Sequence, residues 1–170
     1  LDDAFYEMPA PAPGTTTLQE LRLRTLREAD GTNGKDLVPL WHSLDTLTVV
    51  RNTHEDKYIS LAKNTNRLRL VLQDTDGNCM DVRDFTFEIK ADNGYMAHNN
   101  SLLDDPVISY LPYHTENVNI AEGDSLMGKP VMQTVAVAEM NTMRLMAGEN
   151  YRLVVRHKNW EKDVININLN

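Results

Sequence analysis

Only one cysteine, Cys79, occurs in this chain, so no intrachain disulfide braces it. No histidine stands near it in sequence. A reactive thiol needs a base or a cationic setting, so Cys79 reads as an inert structural thiol. Glycine is scarce, at 8 residues, and there is no Gly-rich phosphate loop and no serine in a Gly-flanked elbow. Long apolar runs are missing too: nothing approaches the roughly 20 residues of a membrane helix. The 17 Lys and Arg are scattered and outnumbered by 25 Asp and Glu, leaving a formal charge of −8, so nucleic acid is not an expected partner. The 5 histidines, at positions 42, 54, 98, 114 and 157, show no zinc-site spacing. Asp74-Thr75-Asp76-Gly77 begins like a calcium loop but lacks the later ligands. No metal, cofactor or catalytic group is therefore expected, and the chain reads as non-enzymatic.

What is present is alternation. Leu68, Leu70 and Leu72 alternate with Arg67, Arg69, Val71 and Gln73, and Phe85, Phe87 and Ile89 alternate with Thr86 and Glu88. A period of two sends neighbouring side chains to opposite faces, giving each strand one apolar and one wetter face. The pattern predicts strands near Leu47–Arg51, Lys57–Leu61, Arg67–Gln73, Phe85–Ile89, Val107–Leu111, Met132–Ala138, Tyr151–Arg156 and Val164–Leu169. Turn clusters separate them, among them Asp74 to Gly77, expected to close a hairpin, and Asp92-Asn93-Gly94. Short strands divided by turns point to an all-β, antiparallel β-sandwich. Leu68, Leu70, Leu72, Phe85, Phe87, Ile89, Leu153 and Val155 are its expected inward residues. With 41% apolar residues in 170, a substantial core is within reach.

Other segments are less regular. Residues 1–17 hold Pro9, Pro11, Pro13 and Gly14 and suit an extended linker. Leu18–Leu26 alternates like a strand, although Thr17-Leu18-Gln19-Glu20 also fits a helix capping box; strand is the preferred reading. Asp36–His42 reads as an apolar connector. Val135–Met146 is read as strand with a bend near Asn141. His114–Pro130 is polar, contains Gly123 and Gly128, and is expected to be a long loop. The chain opens at Leu1 with neither an initiating Met nor a signal peptide and is expected to be a piece of something longer. Val164 to Asn170 alternates cleanly, with Ile165, Ile167 and Leu169 on one face, the pattern of a strand that completes its own sheet or fills an apolar groove.

Several of these segments together resemble the FimB/Mfa-type fimbrial subunits of Bacteroidales. The resemblance is carried by Asn64 to Asp74, Asp81-Val82, Asp84 to Ile89, Asp92-Asn93-Gly94, Asn99 to Leu103 and Ile108 to Pro112. Ala136 to Glu139 with Thr142 to Met146, and Asp36 to His42 upstream, extend it. It implies a secreted, lipid-anchored surface protein of two transthyretin-like β-sandwiches, an anchor or minor subunit that assembles by strand donation. On that reading residues 1–43 are a linker and the C-terminal remnant of a first β domain, and 44–170 form the second sandwich. Partners would be other fimbrial subunits, with the outer membrane reached through a lipid anchor outside this chain. Ile165, Ile167 and Leu169 are the candidate strand-donation residues. Asp45-Thr46-Leu47 and Asp124-Ser125-Leu126 resemble the O-glycan acceptor motif of secreted Bacteroidales proteins, making Thr46 and Ser125 candidate acceptors. The alternative is a carbohydrate-binding adhesin sandwich using Tyr95, Tyr110, Tyr113, Trp41 or Trp160.

Overall fold

In the computed structural model the described residues are 4–126 and 129–169, the side chains of 122–131 excepted. Thirteen strands form: β1 (Tyr6–Glu7), β2 (Arg22–Thr25), β3 (Thr32–Asn33), β4 (Trp41–His42), β5 (Ala62–Lys63), β6 (Thr65–Leu72), β7 (Phe85–Ala91), β8 (Tyr95–Ala97), β9 (Ile108–Tyr110), β10 (Pro112–Leu126), β11 (Lys129–Met143), β12 (Arg152–His157) and β13 (Lys162–Asn168). The fold is all-β, with short 3₁₀ turns at Leu18–Glu20 and Val82–Asp84 as the only helical pieces described. One sheet runs β13-β12-β7-β9-β3 and a second runs β10-β11-β6. Smaller sheets are β1-β2-β8 and β4-β5. Every pair is antiparallel except β3 with β9.

The alternation sets how the two larger sheets pack. Leu153, Val155 and His157 on β12 lie opposite Ile89, Phe87 and Phe85 on β7. These side chains share one core with Ala136, Ala138 and Met140 of β11, and Leu68, Leu70 and Leu72 of β6 pack against it. All the expected inward residues are therefore in or against the core. Tyr6, Leu37, Ile108, Tyr110, Met143 and Tyr151 join them. Each large apolar side chain buried there contributes about 1.5–3 kcal/mol before chain entropy is subtracted.

A polar clamp ties the far end of the core. Asn93 is fully buried; its amide donates to the carbonyls of Met143 and Arg144, both at 3.1 Å, and its Oδ1 accepts from the Tyr110 hydroxyl at 2.8 Å. The Asp92-Asn93-Gly94 turn thus bonds β9 to the end of β11. Burial pushes the Tyr110 phenol far above its ordinary value, so it stays a neutral donor.

Several expectations need correction. Leu47–Arg51 and Lys57–Leu61 form no strands; residues 43–61 are irregular and mostly exposed, because no described strand lies alongside to bond their backbones. The expected loop His114–Pro130 instead lies within the β10–β11 hairpin, paired from His114↔Glu139 through Leu126↔Lys129 with a shift between Glu122 and Ser125. Its strand signal was hidden because Thr115, Asn117 and Asn119 put polar side chains beside Ala138, Ala136 and Thr134. The Asp76-Gly77 turn forms, with Gly77 at φ 78° and its N–H bonded to Asp74 O at 3.3 Å, but β6 and β7 lie in different sheets, so it is a crossover and not a hairpin. No bend occurs at Asn141: β11 runs on to Met143, and the Asn141 amide bonds the Asp36 carboxylate at 2.9 Å. Leu18–Leu26 divides into a 3₁₀ turn, whose Thr17 N–H bonds Glu20 at 2.6 Å, followed by β2. Strands from both sides of residue 43 share sheets, since β2 pairs with β8 and β3 with β9, and Tyr6 and Leu37 sit in the common core.

The clamp generates a stability prediction. Asn93→Ala leaves buried groups of Tyr110 and β11 unpaired and should lower unfolding free energy by about 2–4 kcal/mol in urea titrations. The same truncation at Tyr58, which is 94% exposed, should change it by less than about 0.5 kcal/mol. Equal effects at both positions would contradict the assignment.

Candidate assembly edge

The clean alternation at the C-terminal end forms β13, the outer strand of the five-stranded sheet. Ile165 lies opposite Val155, and Ile167 opposite Leu153. Ile165 and Leu169 pack on the core, and Leu169 N–H extends the pairing to Tyr151 O at 2.8 Å. Ile167, between them on the same face, is 50% exposed. The structure thus brings the three predicted residues to one face and leaves the middle one incompletely covered, beside an outer backbone edge on which no described strand pairs. An edge of this kind presents a row of N–H and C=O groups able to accept another strand.

The wet face of β13 is held by charge. Arg156 Nε bonds Asp163 at 2.9 Å, Asn166 donates to Asp163 at 3.0 Å, and Arg152 reaches Asn166 at 2.5 Å. The Arg156 bond, then the Asn166 bond, lowers the Asp163 carboxyl pKa. Glu88, Lys90, Arg152, Arg156 and Asp163 border a shallow concavity of about 300 Å³. Arg156 pairs with Asp163 across it, a contact that holds neighbouring strands in place, and Lys90 pairs with Glu88 along β7.

The other main sheet is latched similarly. Arg69 on β6 donates to Glu139 at 2.6 Å and Glu116 at 3.0 Å, and the Tyr113 hydroxyl bonds Glu139 at 2.9 Å. Arg67 bonds Asp36 at 2.5 Å. The Tyr113 bond, then Arg69, lowers the Glu139 pKa; the Asn141 bond, then Arg67, lowers that of Asp36. In sequence these arginines read only as a solvated face; their partners sit 31 to 70 residues away and leave no local signal.

The remaining candidates are dispersed. Tyr110 is buried in the clamp, Tyr113 is in the latch, and Tyr95 lies under the Arg24 guanidinium at 4.2 Å. Trp160 stacks on His157 at 3.9 Å, and Trp41 borders a separate groove. The structure therefore does not bring the rings together. Asp105 is almost fully buried and held by Arg24 and Arg27, a structural pairing. Cys79 is exposed, and hydrogen bonding to Thr134 lowers its thiol pKa. Among the described residues no three His, Cys, Asp or Glu side chains group as metal ligands. Thr46 is exposed within residues 43–61. The backbone of Ser125 lies near the end of β10, not in the expected loop, and its side chain lies outside the described residues.

The family of fimbrillin-A associated anchor proteins Mfa1 and Mfa2 matches over residues 1–170. The chain belongs to this family. It is a family of structural fimbrial proteins, not of enzymes. Among solved structures, a candidate polysaccharide-binding protein from Bacteroides thetaiotaomicron is 33% identical, covering 99% of this chain and 55% of its own, with TM-score 0.81. A candidate adhesin from the same organism is 28% identical over 96% of this chain and 54% of its own, also at TM-score 0.81. The fimbrial anchor protein Mfa2 from Porphyromonas gingivalis shares the fold at TM-score 0.65 and 19% identity, over 98% of this chain and 56% of its own. This Mfa-family chain thus spans about half the length of the solved relatives it matches. No curated protein sequence matches it.

The carboxylate latches predict a pH dependence. Asp36, Glu139 and Asp163 all have folded pKa values below their ordinary ones. The unfolded chain therefore binds more protons in acid. Their contribution is full above the ordinary carboxyl values of 3.8 to 4.5 and is lost as pH falls through the lowered ones. Urea midpoints should hold steady from about pH 7 to 5 and fall below about pH 4, with a smaller fall for the Arg69→Gln, Arg156→Gln double variant. An identical acid profile for that variant would contradict the assignment.

Proposed function

We propose that this chain is one domain of a cell-surface fimbrial subunit of the anchor or minor type, that it is joined to a neighbouring subunit by strand exchange at β13, and that it contributes in this way to adhesion. The single observation that carries the reading is the half-exposed Ile167, set between core-packed Ile165 and Leu169 on the outer strand of its sheet, along which no described strand pairs. Support comes from the family match and from relatives described as candidate adhesins.

The mechanism is mechanical. A strand laid along β13 adds a row of main-chain hydrogen bonds, each worth only about 1 kcal/mol net. Its alternate apolar side chains cover Ile167 and the core beneath it, and each such side chain contributes about 1.5–3 kcal/mol. Side-chain burial therefore supplies most of the holding energy, and the hydrogen bonds set direction and register. Whether β13 accepts a strand or is itself passed on, the same alternate residues decide the fit. The whole protein would carry two such sandwiches, both transthyretin-like. A lipid anchor outside this chain would hold it at the outer membrane. Thr46 and Ser125 belong to the same proposal as O-glycan acceptors, Thr46 with its side chain exposed.

Ile167→Asp in the full-length protein on its native cell tests this. Because Ile167 is half-exposed, the variant should fold and reach the surface with a stability loss below about 1.5 kcal/mol. Attached fimbriae should nonetheless be lost or shortened by electron microscopy. Normal fimbriae with normal stability would overturn the proposal.

A further inference from the structure

On the face turned away from the core, β7, β12 and β13 carry three rows of side chains. Lys90, Arg152 and Asn168 make one row, Glu88, Val154 and Asn166 the next, and Thr86, Arg156 and Asp163 the third. Neighbouring strands lie about 4.8 Å apart, so each row runs outward to the edge along which no described strand pairs. All of these residues except Asn168 border the concavity of about 300 Å³.

The charges in these rows do not balance. Lys90, Arg152 and Arg156 are cationic, and only Glu88 and Asp163 are anionic. Asp163 takes Arg156 at 2.9 Å, and Glu88 takes Lys90 at 3.5 Å. Arg152 is left over. Among the described residues its hydrogen-bond partner is the neutral Asn166, whose Oδ1 accepts at 2.5 Å, and no carboxylate lies within ion-pair distance of it. Lys90 stands directly opposite Arg152 on β7, and like charges so placed on a sheet are unfavourable. The bond to Asn166 carries the guanidinium away from Lys90 and over β13. The surplus charge therefore sits one strand spacing from the open edge.

We propose that the strand of the neighbouring subunit that comes to lie along β13 carries an Asp or Glu on its wet face, beside Asn166 or Asn168, and that Arg152 selects it. The inference rests on the strand-exchange reading and names the chemistry of the partner strand. Val164 has no partner on β12, so the register shifts there and regular pairing is confined to the stretch from Ile165 on. Over that stretch the incoming strand sets apolar side chains beside Ile165 and Ile167, and the alternate positions face Asn166 and Asn168. An acid at one of them reaches the Arg152 guanidinium and supplies the carboxylate that this sheet lacks. The opposite end of the face carries Asp163, so the charge order also sets the direction in which the strand lies. A second copy of β13 is a poor occupant. It offers asparagine at the positions that need an acid and brings another Arg152 with it.

Fluorescence anisotropy with the full-length protein and three labelled peptides tests it. In each peptide isoleucine alternates with threonine, and the central threonine is kept or replaced by glutamate or lysine. The glutamate peptide should bind about two- to fivefold more tightly than the threonine one, and the lysine peptide more weakly by a similar factor. The differences should shrink between about 50 and 500 mM salt. Arg152→Gln keeps a donor for Asn166, so circular dichroism and melting temperature should stay near wild type, yet the glutamate preference should vanish. Arg152→Glu should invert the order, and Ile167→Asp should weaken all three peptides alike. A glutamate preference that persists in Arg152→Gln, or no preference in the wild type, would overturn the inference and leave the strand-exchange reading standing. Binding of none of the three would also overturn it. Peptide binding untouched by Ile167→Asp, or no binding together with normal fimbriae from that variant, would overturn the reading beneath it as well.

Discussion

The register between β7 and β12 is the constraint on which the rest of this domain depends. It sets Phe85, Phe87 and Ile89 opposite His157, Val155 and Leu153, and all share the core with Ala136, Ala138 and Met140 of β11. A slip of one residue would turn these large side chains outward and bring Thr86, Glu88 and Arg156 in. β11 is also buried on its other side, where Val135 and Val137 are covered. The centre therefore permits almost no rearrangement, and adaptability is left to the edges.

Those edges divide into two kinds. Where strands end against charge, as along β6 and the wet face of β13, paired arginines and carboxylates hold them. Such pairs are surface interactions of small individual worth, and they set geometry more than stability. Where apolar residues reach the boundary, at Ile167 and along residues 43–61, the folded chain leaves apolar surface exposed. A sandwich has no internal means of covering its own last strand, and this one bears an incompletely covered apolar residue on the strand with the cleanest alternation. The family to which the chain belongs is one of fimbrial anchor proteins.

Most of the core was legible in the sequence, because period-two alternation with large apolar residues survives any choice of partner: Phe85, Phe87, Ile89, Leu153 and Val155 read directly as inward. The errors share a cause, since alternation reports a face and not a neighbour. Leu47–Arg51 and Lys57–Leu61 carry strand-like patterns but have no strand beside them. β10 has a neighbour along its length, yet its Thr115, Asn117 and Asn119 look like loop. Asp76-Gly77 was rightly a turn, but only the three-dimensional order of strands shows that it crosses between sheets. At the candidate site the sequence named Ile165, Ile167 and Leu169 together, and the half-exposure of Ile167 could only come from coordinates. Asn93 was legible as a turn residue but not as a clamp, because its partners lie 17 to 51 residues away.

The central claim is that the outer edge of β13 is an unfilled place for another strand. Amide hydrogen exchange across Lys162–Asn168, compared between the free protein and isolated fimbriae that contain it, tests this most directly. The account predicts that the amides of β13 not bonded to β12 exchange rapidly in the free protein and become strongly protected in fimbriae, while those of β7 are slow in both. Equal exchange along β13 in the two states would contradict it.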